Sequence, residues 1–179
     1  MKRIALGLVV ASAMAIAAPQ APATEFKGMQ LGAQAVIERM KDELQLRCEE
    51  RYTGKKECHG YTSIAEAETP ILVTIGADGG IETIDLHVIK AAEFQQVAKA
   101  LVSKYGKPQV NQRPPVRTKN GAHWTAEFLQ WQRPDGSRIT AGNKLHNLDN
   151  GSVRMQSANA VREETEEGRT RKATQIRDL

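Results

Sequence analysis

The chain is short of the residues from which most active sites are built. In 179 residues it has two cysteines, four histidines, three phenylalanines, three tyrosines and two tryptophans. So few aromatics leave the core to aliphatic side chains and argue against a stacking platform for bases or sugars. His59, His87, His123 and His146 form no H-x-H or H-x-x-x-H pair. A structural zinc site needs four ligands, so neither a metal nor a cofactor is expected. No G-x-x-x-x-G-K-S/T or G-x-G-x-x-G phosphate loop is present, and none of Ser63, Ser103, Ser137 or Ser152 lies in G-x-S-x-G or S-x-x-K. Glu66, Glu68, Glu82 and Glu127 have no distinctive local setting, although paired carboxylates can converge only in the fold.

Long apolar runs are absent beyond residue 18. The one run sits at the start, in MKRIALGLVVASAMAIAAPQAPA, where Lys2 and Arg3 precede Ile4 to Ala18 and a small-residue stretch follows. This is the build of a secretory leader, and Ala21-Pro22-Ala23 fits the small-x-small cleavage rule. Residues 1–23 are therefore expected to be a signal peptide cut between Ala23 and Thr24, with the periplasm as destination. The run is shorter than the roughly 20 residues a membrane-spanning helix needs, so no membrane span is expected after cleavage. Without Lys2 and Arg3, 25 basic residues become 23 against 21 acids, a net charge of +2. That balance disfavours a nucleic-acid partner.

Both cysteines lie in RCEERYTGKKECHGY, with nine residues between Cys48 and Cys58. The spacing lacks the C-x-x-C of a redox site or zinc knuckle. In an oxidising compartment a lone pair is expected to form a disulfide, worth about 3 kcal/mol in the loop-entropy model. It is expected to pin the polar loop to the end of a first helix, in which Ala33, Ile37, Met40, Leu44 and Cys48 share one face.

Further along, ILVTIGADGGIETIDLHV alternates on both sides of an ADGG turn and predicts a hairpin, with a weaker strand at Tyr61 to Glu66. Phe94, Val97, Ala98, Leu101 and Tyr105 form the stripe of a second helix, stopped by Gly106 and Pro108. HWTAEFLQWQRPDGSRITAG predicts a second hairpin, and Val153 to Ser157 a last strand. The expected fold class is α+β: two amphipathic helices packed on an antiparallel sheet of about five to six strands, ordered helix, two or three strands, helix, three strands. The domain is expected over residues 24–160, with 29–89 and 91–158 as possible repeats lacking sequence identity. Residues 161–179, an acidic block followed by a basic one, are expected to be a charged, flexible tail.

Two surface features stand out. Arg113, Pro114, Pro115, Arg117 and Lys119 lie in RPPVRTKN, a loop whose prolines lower the entropy lost on binding. Trp124 and Trp131, seven apart, fall on opposite faces of a continuous strand, so one is expected in the core and the other as an interface anchor. Asp85 and His87 are expected to share a strand face opposite Ile84, Leu86 and Val88.

FKGMQLGAQAVIERM, ILVTIGADGGIETIDL and KYGKP together resemble a type of uncharacterised exported protein of proteobacteria and their prophages. More remotely, they are similar to small outer-membrane assembly lipoproteins and β-lactamase-inhibitor-type domains, without the lipidated cysteine. The resemblance implies a helix-plus-antiparallel-sheet domain that acts by contact. The expected function is a non-catalytic periplasmic binding protein for another protein or an envelope component, an inhibitor being one form; the alternative is a small envelope hydrolase whose acids and histidines meet in the fold.

Overall fold

A computed structural model describes residues 23–51, 54–117, 121–144 and 149–177. Residues 1–22, where the signal peptide is expected, Lys119 and His146 lie outside the described residues. The chain runs β1 (Glu25–Phe26), β2 (Met29–Gln30), α1 (Ile37–Asp42), β3 (Arg47–Glu50), β4 (Lys56–Ile64), β5 (Ala67–Ile75) and β6 (Ile81–Lys90). Next come α2 (Phe94–Tyr105), β7 (Val110–Gln112), β8 (Pro115–Arg117), β9 (His123–Thr125), β10 (Glu127–Gln132), β11 (Arg138–Asn143), β12 (Asn150–Gln156) and α3 (Ala158–Arg177).

The expected fold class is overturned by the sheet itself. Eight antiparallel strands, ordered β3-β4-β5-β6-β12-β11-β10-β7, form one sheet, with two small two-stranded sheets beside it. The fold is β-rich, not two helices on five or six strands. The first helix is also corrected: α1 ends at Asp42, and Cys48 lies on β3. A positive φ at Gln45 (53°) turns the backbone out of helix, and RCEE pairs with β4 instead, Cys48 directly opposite Cys58.

The order contains a repeat. A helix followed by four strands in meander occurs twice, as α1-β3-β4-β5-β6 and α2-β7-β10-β11-β12, with the β8–β9 hairpin inserted in the second copy. The last strands of the two halves, β6 and β12, pair at the centre of the sheet, and the first strands, β3 and β7, form its edges.

One sheet face packs the core. Val73, Ile84, Leu86, Trp131, Ile139 and Met155 are fully buried there, joined by Met40 of α1 and by Phe94, Val97 and Leu101 of α2. Phe94 sits so close to the sheet that a Cβ on Gly151 would lie 2.6 Å from its ring; only glycine permits that contact. Gly106 (φ 81°) ends α2, as its place before Pro108 predicts.

Two departures from regular strand shape the rest. Opposite the single residue Ser152, β6 places both His87 and Val88, a bulge with Val88 at φ 59°. Pro70 sits inside β5 because pairing with β6 ends at Ile71, so its missing N–H costs no ladder bond. At the other end, β3 reaches only as far as His59, so β4 from Gly60 to Ile64 pairs on one side alone. The charged C-terminal stretch is α3, started by the Ser157 hydroxyl, which accepts from the Ala160 N–H at 3.2 Å; among the described residues no helix is long and apolar enough to cross a membrane.

Candidate functional site

Strand register decides which side chains share the face opposite the core, because residues directly paired across strands point the same way. From one edge to the other this open face carries Arg47, then Glu57, His59, Tyr61 and Ser63 of β4, then Pro70, Leu72 and Thr74 of β5. It continues with Thr83, Asp85 and His87 of β6, Ser152, Arg154 and Gln156 of β12, Arg138 and Thr140 of β11, and Phe128 and Gln130 of β10. No helix lies over the middle of this row among the described residues, and Tyr61 is 70% exposed.

Polar groups at the centre are held in place. Asp85 is buried and accepts from Arg154 Nε at 2.5 Å. The Thr83 hydroxyl lies 3.0 Å from Asp85 Oδ2 and 3.1 Å from the Thr74 hydroxyl, so β5, β6 and β12 are tied across their outer side. The Asp85 hydrogen bond raises the Arg154 pKa above its ordinary value against the opposing effect of burial. Beside this row, Arg138 donates to Gln156 Oε1 at 2.8 and 3.0 Å, and both Arg138 and Gln156 Nε2 reach Glu164 of α3. The start of α3 thus closes one end of the face. Two depressions lie on the face: one of about 480 Å³ between Arg138, Arg154 and Phe128, the other of about 1160 Å³ alongside β4 and Leu72. His87 borders both.

No family model, curated protein or solved structure matches this chain. The site is therefore read from its own residues.

The disulfide joins Cys48 and Cys58. It staples an edge strand to its neighbour rather than a loop to a helix end. Cys58 is fully buried and His59, directly after it, faces the open side near Glu57 at 3.5 Å. Of the proline-containing loop, Pro115 to Arg117 is strand β8, paired with β9, in which Val116 opposes Trp124. Arg113 is drawn back to Glu127 at 3.8 Å, the Pro114 carbonyl accepts from the Ala126 N–H at 3.0 Å, and Pro115 and Arg117 are exposed. Lys119, at the tip, lies outside the described residues. The two tryptophans lie in different strands: Trp131 is fully buried and donates to the Gly106 carbonyl at 2.7 Å, whereas Trp124, half-buried, donates to the Lys144 carbonyl at 2.7 Å.

Asp85 and His87 do share the open face, but the Asp85 carboxylate is occupied by Arg154 and Thr83. Among the described residues no group of three or more His, Cys, Asp or Glu is placed to hold a metal. Tyr61, Leu72, Phe128, Arg138 and Arg154 were not singled out by sequence reasoning. Strand alternation could have put each pair of neighbours on opposite faces, but not which residues of distant strands lie side by side.

Proposed function

We propose that this is an exported, non-catalytic binding protein that docks another protein or an envelope component on the open face of its sheet. The observation that carries the reading is an eight-stranded sheet packed on one side only, which displays Tyr61, Leu72 and Phe128 among charges already fixed by internal partners. An exposed tyrosine with half-buried Leu72 and Phe128, next to a pre-positioned arginine, has the composition of interface anchors. Because Arg154 and Arg138 are held by Asp85, Gln156 and Glu164, little side-chain entropy is lost when a partner arrives.

Hydrolysis is less well supported, since it needs a carboxylate free to act with a histidine, and the buried carboxylate on this face is engaged by arginine. An inhibitor is one form the binding takes, with the β8–β9 hairpin or the stapled β3–β4 hairpin entering a target's cleft. Export and the resemblance to exported proteobacterial proteins belong to the same proposal, supported by the leader-like first residues.

A photo-crosslinking amino acid placed at Tyr61, Leu72 or Phe128, in cells that make the full chain, should capture the same partner from all three positions. Equal capture from exposed Val36, just before α1, and exposed Val102 of α2, or none from the open face, would reject the reading.

A further inference from the structure

Thr24 is 1% exposed, although Ala23 before it and Glu25 after it are exposed. It is held on three sides. Its backbone nitrogen donates to Asp135 Oδ2 at 2.9 Å, its hydroxyl shares a 2.6 Å hydrogen bond with Ser137 Oγ, and its carbonyl accepts from the Leu31 N–H at 2.9 Å. Asp135 and Ser137 belong to the turn between β10 and β11, 111 and 113 residues further along the chain. The other Asp135 oxygen accepts from the Ser137 N–H at 2.9 Å and its hydroxyl at 2.6 Å. Burial alone would raise the Asp135 pKa, but the hydrogen bonds from Ser137 and Thr24 outweigh it and hold the carboxyl below its usual range. The acceptor facing Thr24 is therefore a carboxylate at neutral pH.

An uncut chain offers that carboxylate a single neutral N–H. A chain cut between Ala23 and Thr24 offers it an ammonium at the same atom, with three donors and a full charge, and charge-assisted bonds of this kind are about twice as strong as neutral ones. Ala21-Pro22-Ala23 marks the same bond for cleavage on sequence grounds. We propose that the Asp135–Ser137 turn is a receptor for the α-ammonium of a chain beginning at Thr24, so that loss of the leader completes an ion pair between the new N-terminus and the second hairpin. In the cut, the C–N bond of Ala23–Thr24 breaks, the oxygen of water joins the Ala23 acyl carbon to give a carboxylate, and the Thr24 nitrogen departs as an amine protonated at neutral pH. The catalyst is a peptidase that reads small residues before the cut. A chain one residue longer would leave an amide in the receptor and carry its charge on exposed Ala23; a chain one residue shorter would leave the receptor without its nitrogen and the Ser137 hydroxyl with its bond to Asp135 but not to Thr24.

The inference rests on the exported reading of the leader and not on the open face. The ionisable groups around Thr24 are Asp135, neighbouring Glu25, Lys104 and Tyr105 at the end of α2, and Arg133. Lys104 Nζ and Tyr105 Oη both bond the Glu25 carbonyl at 2.8 Å, and Arg133 lies 5.5 Å from the Tyr105 ring. Of these groups, Asp135 is the one in contact with the Thr24 nitrogen. The ammonium form is favoured, so the α-amino pKa rises above the unfolded value of about 7.7–8.0. The stabilisation is complete below that value and disappears as pH rises through the higher folded one.

The test begins with the full chain, exported with its leader, and the intact mass and N-terminal sequence of the product. That product should begin at Thr24. NMR titration of its α-amino group should then give a pKa about one unit or more above the ordinary range, and the unfolding midpoint should fall between pH 7 and pH 9. Both effects should vanish in Asp135→Asn, and the fall with pH should vanish in product acetylated at the Thr24 nitrogen, which keeps the carboxylate and so separates pairing from folding. A product that starts elsewhere overturns the inference through its leader. A product starting at Thr24 whose amine titrates normally, or titrates alike in Asp135→Asn, overturns the receptor itself.

Discussion

At the residue scale, Asp85 shows how the open face is made rigid. Its carboxylate is almost out of solvent and depends on Arg154, whose own side chain is half in water. Arg154→Ala would leave a buried charge with the Thr83 hydroxyl as its remaining side-chain partner, and we expect a loss of about 1–3 kcal/mol by urea denaturation. Replacing both residues by a matched apolar pair should cost less than that single change. Tyr105 gives a separate signal at alkaline pH. Burial, partly offset by Arg133, pushes its phenol up to about 12, against about 10 in an unfolded chain. Folding thus favours the protonated form, and the resulting stability is present below pH 10 and lost as pH climbs to about 12. Phenolate absorbance and unfolding midpoints should both show that loss, and Tyr105→Phe should remove it.

At the element scale, the parts of the fold legible in sequence are those whose partners are near in the chain. The β5–β6 hairpin follows from alternation on either side of ADGG, and α2 follows from a stripe that ends at Gly106. β3 was not legible because RCEE continues the apolar spacing of the helix before it; the turn at Gln45 and the pairing with β4, not propensity, decide its form. β4 was read short because Cys58 and Ile64 are buried at its two ends while Gly60, between them, offers no side chain and lies under Leu46. β5 starts before the predicted Ile71, at Ala67, and takes in Pro70 where pairing with β6 has already ended. The docking of α2 is tested by Gly151→Ala, which forces a methyl to 2.6 Å from Phe94 and 2.9 Å from the Gly142 carbonyl. Overpacking of this kind should cost about 1–3 kcal/mol in thermal or denaturant unfolding.

At the scale of the whole molecule, the decisive contact was invisible to local reading. Arg154 pairs with Asp85 across 69 positions of sequence, and it is the β6–β12 seam that turns two meanders into one sheet and sets Tyr61, Leu72, His87, Arg154 and Phe128 on a common surface. The candidate site was legible only in fragments: the Asp85–His87 face and the cysteine pair, but not the neighbours that give them context. Hydrogen exchange should report the same hierarchy. Amides of β6 and β12 should exchange slowest, and those of Tyr61 and Ser63 among the fastest in any strand, because the alternation of the β3–β4 ladder points them away from β5.

That one-sided stretch of β4 gives the disulfide a second meaning. With the cysteines joined, β3 covers half of the edge, and Lys27 reaches over Ser63 at 3.3 Å as a charge on the remainder. Reduced, β3 would be held by a four-residue ladder and the Arg51–Glu57 ion pair at its end, and its departure would bare nine consecutive residues of β4. An open strand of that length is a template for fibrils. The bond between Cys48 and Cys58 is then also a guard on solubility, and the sign of its loss would be growth of thioflavin-binding aggregates in reductant before any cooperative unfolding is seen.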